Sequence, residues 1–164
     1  MVVRPAVLPA EAEAISALVQ AAFNTSRFDE AAMVENSRAE GGAWVELVAE
    51  ENGEIVGHIL MNRMTVTPHK LMAGLAPVGV APAWQGRGIG DALCRAGIEA
   101  VRALGAEAVV VLGHPDYYPR FGFSAASAAR LASPYAGNPA FMAMELTPGA
   151  LADPLKVDYP AAFS

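Results

Sequence analysis

The sequence predicts a mixed α/β domain, a central mixed sheet of about six to seven strands flanked by helices. Three observations carry this. Apolar runs with strand character are bounded by turn residues along most of the chain, from Val2 to Leu146. The run Gln85-Gly86-Arg87-Gly88-Ile89-Gly90 separates one such strand from a long helical pattern. A β-branched stretch, Ala108 to Leu112, then follows that helix and completes a strand, crossover helix and strand unit, which is right-handed and parallel in nearly every sheet protein.

Taken in order, Val2 to Leu8 reads as a short strand, and Pro9-Ala10-Glu11 opens a helix with the apolar stripe Ile15, Leu18, Val19, Ala22. A second, less amphipathic helix is expected over Asp29 to Ala39. Trp44 to Ala49 and Ile55 to Met64 are strands joined at Glu51-Asn52-Gly53, since Asn-Gly suits a tight hairpin. Leu75 to Val80 is the next strand. Pro77 inside it removes a ladder donor, so its pairing is expected to be broken or bulged. The helix after the glycines is expected to turn Ile89, Leu93, Ala96, Ala100 and Leu104 inward and to stop at Gly105. Phe141 to Leu146 is a last strand, and the tail from Thr147 to Ser164 is expected to pack along the domain or against a second subunit.

At 164 residues and 54% hydrophobic, the chain suits one globular domain, 1–164, with a single sizeable core. No apolar stretch reaches the roughly 18 residues that span a bilayer, and acidic Glu11 and Glu13 near the start do not suit a signal or transit peptide. One cysteine, Cys94, forms no intrachain disulfide, and a cytoplasmic location is expected. The net charge of −6 speaks against nucleic acid as the main partner. The charge is uneven: residues 1–60 hold three arginines against ten acids, whereas residues 61–130 hold seven lysines and arginines against four acids. The glycine run lies in that more basic part, where an anionic ligand is better tolerated.

Alternating glycines before a helix describe an anion cradle, because a glycine adopts positive φ freely and lets successive N–H groups converge on a phosphate at the helix N-terminus. The spacing does not fit the dinucleotide fingerprint, whose third small residue would fall where Asp91 and Leu93 stand. Nor does it fit the Walker loop, since the nearest lysines are Lys70 and Lys156.

The pattern Gln85-x-x-Gly88-x-Gly90 after Val78-Gly79-Val80-Ala81-Pro82 resembles the pyrophosphate-binding motif of the GNAT superfamily of acyl-CoA N-acyltransferases. A second block, Tyr117-Tyr118-Pro119-Arg120-Phe121-Gly122-Phe123, is similar to that family's Tyr-x-x-x-Gly-Phe segment. The resemblance runs from about Leu75 to Phe123. It implies a GNAT-like fold in which a bulged strand splays from its parallel neighbour and leaves a V-shaped slot for the pantetheine arm. It also implies acetyl transfer from acetyl-CoA to an amine by direct attack on the thioester. The implied cofactor contacts are the backbone of Gly86, Arg87, Gly88, Ile89, Gly90 and Asp91 at the pyrophosphate, with Gln85 in the motif, and Val78, Gly79 and Val80 along the pantetheine. Arg87 would add a charge-assisted contact, and Arg95 could reach the ribose phosphate.

By its place four residues before Gly122, Tyr118 matches the family's tyrosine beside the CoA sulfur, and a phenol with an ordinary pKa of about 10 can protonate a departing thiolate. Glu46, Glu50, His58, His114 and Asp116 are candidates for the base. His114 and Asp116 rank first because they follow the buried strand, although many relatives carry an asparagine there, and water-mediated deprotonation stays open. The methionines read as core filler, Cys94 as a packing residue, and the scattered histidines lack metal-ligand spacing, so no metal is expected. The acceptor is a small-molecule or protein amine, with Phe23 to Ala39 lining its side of the fold. A homodimer is one option for assembly. The alternative function is a non-catalytic acyl-CoA-binding or regulatory domain.

Overall fold

The computed structural model describes residues 1–163. The chain runs β1 (Val2–Pro5), α1 (Ala12–Ala22), α2 (Glu30–Ala39), β2 (Ala43–Glu51), β3 (Glu54–Arg63), β4 (Thr65–Thr67), β5 (Met72–Val80), α3 (Ile89–Ala103), β6 (Ala108–Leu112), β7 (Leu131–Ala132), β8 (Phe141–Glu145) and β9 (Leu155–Asp158). Six strands form one sheet in the order β1-β2-β3-β5-β6-β8, antiparallel except where β5 meets β6. A second, three-stranded sheet has the order β4-β9-β7.

The strand alternation assigns the layers. Ile59 and Met61 of β3, Ala73 and Leu75 of β5, and Val109 and Val111 of β6 share a buried cluster with Leu93, Cys94, Ile98 and Val101 of α3. The intervening residues face the other way. There Val48 of β2 packs with Ile15, Leu18 and Val19 of α1 and Ala31 of α2. Met72, Val110 and Phe141 pack with Leu131, Leu155 and Val157 of the small sheet. So α3 covers one face, while α1, α2 and the small sheet share the opposite one.

The α3 face differs from the expected stripe. Its buried residues are Ile89, Leu93, Cys94, Gly97, Ile98 and Val101, whereas Leu104 is 53% exposed where the helix ends. Gly97 is the reason: the position has no side chain to mark it as apolar, yet a Cβ there would lie 3.1 Å from Met61 Sδ and 3.2 Å from Ile59 Cδ1. The helix therefore seats its glycine, not its leucine, on the sheet. The tail packs along the domain: β9 is the middle strand of the small sheet, Pro160 lies against Gly42, and the Ala162 N–H donates to Glu40.

Two features of β5 position the site. Leu75 pairs with Met61 and Val78 with Ile59, so Ala76 and Pro77 together oppose Leu60. This is the expected bulge, and it shifts the alternation by one: Ala73 and Leu75 face α3 before it, Val78 and Val80 after it. The Asn62 amide donates to the Ala76 carbonyl at 2.9 Å and braces the bulge from β3. Pairing of β5 with β6 also stops at Leu75↔Val111, so the two parallel strands part beyond that point.

Candidate active site

A cavity of about 470 Å³ opens where β5 and β6 part, at the N-terminus of α3. It is lined by Val80, Trp84, Gln85, Gly86, Gly88, Ile89, Gly90 and Asp91 from the motif, and by Tyr117 and Arg120 from the loop after β6. Gly86 and Gly88 both adopt left-handed φ, +77° and +82°, with nothing within 4 Å of where a Cβ would stand. The cradle is thus open space floored by backbone. Gly88 is the N-cap of α3 and offers no side-chain cap, which leaves the first N–H groups of the helix free for an anion.

The slot side of β5 follows from the pairing. The Ala81 N–H donates to the Val56 carbonyl, and groups alternate along a strand, so Gly79 also faces β3 while Val78 and Val80 turn their N–H groups towards the slot. Gln85 fixes the near end by donating its amide to the Val80 carbonyl at 3.1 Å. Val78 and Val80 therefore turn their backbone N–H groups to the open edge of β5. Gly79 does not, because its N–H is directed to β3; its contribution is the missing side chain, since a Cβ would sit 3.1 Å from Phe23 Cε2.

Sequence reasoning assigned Asp91 a backbone role, and its side chain adds something the motif did not reveal. A carboxylate in the first turn of the cradle helix would oppose a phosphate. Here it accepts a 2.7 Å hydrogen bond from the Tyr117 hydroxyl and an ion pair from Arg120 at 3.3 Å, and these hold Asp91 below the usual carboxylate range. Arg120 also lies 4.4 Å above the Tyr117 ring. Arg87 stacks on Trp84 at 4.7 Å and Arg95 on Phe121 at 5.0 Å, and neither cation forms an ion pair among the described residues.

The two tyrosines divide. Tyr117 lines the cavity, but its hydroxyl is committed to Asp91. Tyr118 is 8% exposed and packed edge-on against Tyr117 and Phe123. Its ring occupies the space a side chain at Gly113 would need. Burial, with a smaller contribution from Cys94, pushes its phenol above the ordinary value. Its hydroxyl has no hydrogen-bond partner among the described residues and is not sealed from solvent. Burial also pushes the Cys94 thiol up to about 12, which keeps it a thiol and suits its expected packing role. His114 and Asp116 lie in an exposed loop, and their side chains make no hydrogen bond or ion pair among the described residues.

A second cavity, about 270 Å³, lies across α1 and α2 on the opposite face, lined by Val19, Gln20, Phe23, Arg27, Phe28, Asp29, Glu30 and Ala31. Phe28 there is 70% exposed. Among the described residues no helix is long and apolar enough to cross a membrane.

Comparison with known proteins agrees with this geometry. Residues 12–123 match the acetyltransferase (GNAT) family. The chain is 48% identical over 82 residues to an uncharacterised N-acetyltransferase of Escherichia coli K12, YjhQ, a match that spans only 45% of that protein. It is 32% identical over 122 residues to another from the same organism, YhbS, covering 73% of this chain and 72% of YhbS. Among solved structures, a GNAT family acetyltransferase from Brucella melitensis in complex with acetyl-CoA aligns over 99% of this chain and 97% of its own, at 34% identity and a TM-score of 0.83. Escherichia coli YhbS in complex with CoA aligns over 99% and 91%, at 30% identity and a TM-score of 0.88.

Proposed function

The chain belongs to the acetyltransferase (GNAT) family, and we propose that it transfers the acetyl group of acetyl-CoA to an amine by direct attack on the thioester. The observation that carries this is the coincidence of an open glycine cradle at the start of α3 with a strand pair that parts beside it. Together they suit a ligand with a pyrophosphate at one end and an extended amide-bearing arm, which is the shape of CoA.

The backbone N–H groups from Gly86 to Asp91 hold the pyrophosphate, with Arg87, Arg95 and Arg120 supplying positive charge around it. Val78 and Val80 direct their N–H groups at the pantetheine and the thioester carbonyl. A donor aimed at the developing oxyanion contributes about 3 kcal/mol in comparable sites. Tyr118 donates its proton to the leaving CoA thiolate, and its raised pKa keeps that proton in place at neutral pH. The acceptor amine enters from the α1/α2 cavity, where Phe23 and Phe28 offer apolar surface and Glu30 a carboxylate. A small-molecule or protein amine fits that opening, in a cytoplasmic setting and with acetyl-CoA as co-substrate.

Calorimetric titration with acetyl-CoA tests this, with ATP and NADH as controls. Micromolar binding specific to acetyl-CoA is expected, and Gly88→Glu should abolish it by forcing a side chain into left-handed φ and placing a negative charge in the cradle. Equal binding of ATP, or intact binding in the variant, would sink the reading. Acetyl-CoA binding without thiol release on any amine would leave a non-catalytic acyl-CoA-binding domain.

A further inference from the structure

Three polar side chains meet in the buried layer opposite α3. Arg38 of α2 holds Glu46 of β2 through two nitrogens, with Nε donating to Oε2 at 3.0 Å, and His58 of β3 lies with Nε2 2.8 Å from Glu46 Oε1. His58 is fully buried, and the Glu46 side chain is only 8% exposed. Burial alone would raise the Glu46 carboxyl, but the hydrogen bonds from His58 and Arg38 outweigh it and bring it down to about 2. Glu46 is thus an anion and can only accept, so His58 must carry its hydrogen on Nε2. In the neutral ring, Nδ1 is then a bare lone pair. It is buried and has no partner among the described residues, an arrangement that costs about 1–3 kcal/mol if it serves nothing.

Its position gives it a use. His58 pairs with Gly79 on one side and Val48 on the other, so all three project to the α1 face. Gly79 has no side chain, and Phe23 and Ala22 lie directly over it. Phe23 also lines the α1/α2 cavity. The other edge of the same three-residue stretch, Val78 to Val80, faces the slot between β5 and β6. One segment of β5 therefore has the slot along one edge and His58 along the other, with Phe23 lying over its Gly79.

We propose that His58 is the proton acceptor for the attacking amine, with Glu46 and Arg38 as the residues that position it and Phe23 as the side chain an acceptor displaces to reach it. The proposal rests on the N-acetyltransferase reading above. In the step, the amine nitrogen bonds to the thioester carbon and the C–S bond breaks. One N–H proton passes to His58 Nδ1, and the Tyr118 proton passes to the CoA sulfur. Exchange with solvent then returns the His58 proton and reprotonates Tyr118, leaving an amide and a free thiol. The carboxylate orients the imidazole and stabilises the imidazolium, as in other general-base pairs. Glu46 from β2 is the charged group in contact with His58, and Arg38 from α2 contacts Glu46 in turn; α1 turns Ile15, Leu18 and Val19 to this layer, and β5 turns Gly79.

Two measurements test it. Nitrogen NMR of the histidines in the CoA-saturated protein should show His58 as the Nε2–H tautomer with an unprotonated Nδ1; a hydrogen on Nδ1 of the neutral ring overturns the proposal. Thiol release from acetyl-CoA is then followed against pH, with spermidine and 2-phenylethylamine as probe acceptors. His58→Gln keeps a donor for Glu46 but has no basic nitrogen. It should lower kcat/KM about 100-fold and remove the acid limb of the profile, with CoA affinity unchanged. Glu46→Gln should move that limb to lower pH, which a purely structural clamp would not do. A wild-type profile in His58→Gln, or loss of the limb in His114→Ala instead, overturns the proposal. If the wild type binds no CoA and releases no thiol, the transferase reading fails, while the imidazole spectrum still decides the tautomer.

Discussion

At the residue scale, the cradle is a balance of charges rather than a collection of donors. Asp91 stands where the proposed pyrophosphate would come, and its bonds to Tyr117 and Arg120 offset its charge. Arg120→Ala should weaken acetyl-CoA binding about tenfold, roughly 1.4 kcal/mol, and Asp91→Asn in that background should restore much of it; calorimetry on both variants reads the coupling. An Asp91→Asn change that gives no recovery would mean Arg120 acts on the ligand alone. Tyr118→Phe removes a hydroxyl with no hydrogen-bond partner among the described residues, so its cost should fall on turnover, about 100-fold, with cofactor affinity and thermal stability nearly unchanged. Turnover at the wild-type rate would take Tyr118 out of the mechanism. These glycines and tyrosines were legible in the sequence because their spacing is local. Glu46 and His58 stood among the candidate bases, but their meeting with Arg38 was not legible: the cluster joins three elements, and only pairing through the sheet brings positions 38, 46 and 58 together.

At the element scale, β5 and α3 set the precision of the site. Pro77 announced a bulge, and the structure delivers one at Ala76 and Pro77. What the sequence did not announce is that Asn62 braces it, since an asparagine inside a strand carries no positional signal of its own. The inward face of α3 was misjudged for a related reason: a glycine contributes nothing to an apolar pattern, yet Gly97 seats directly against Ile59 and Met61 of β3. Gly97→Leu should destabilise the protein by about 1–3 kcal/mol through overpacking against Ile59 and Met61. Because α3 carries the cradle at its N-terminus, CoA affinity should fall as well. Denaturant unfolding and calorimetry on one preparation test both parts, and a variant with wild-type stability would show that α3 can shift without cost.

At the scale of the whole molecule, α2 is tied to the sheet by a buried carboxylate, which makes stability pH-dependent in a definite direction. The Glu46 pKa is lowered in the folded protein, from 4.5 to about 2. Its contribution is therefore present above pH 4.5 and lost as pH falls from there towards 2. The free energy of unfolding should decline across that window, and Glu46→Gln should flatten the decline while lowering stability at neutral pH. An unchanged slope in the variant would assign acid sensitivity elsewhere. The main sheet was legible almost strand by strand, because β2, β3 and β5 run 9, 10 and 9 residues and β6 and β8 are compact apolar runs bounded by turns. The small sheet was missed, since β4, β7 and β9 run 3, 2 and 4 residues, too short for a periodicity to register.

That small sheet also sets a timetable. Its middle strand, β9, comes last in the chain, so Thr65–Thr67 has no partner until Leu155–Asp158 exists. At about 5–20 residues per second on the ribosome, the 88 residues from Thr67 to Leu155 take roughly 4–18 s to make. Throughout that interval Met64, Val66 and Met72 lack the cover that Leu155 and Val157 later provide. A nascent chain of this protein thus carries an uncovered apolar face for the whole of that interval. It is during translation, before the mature fold can protect itself, that chaperone capture and aggregation compete for it.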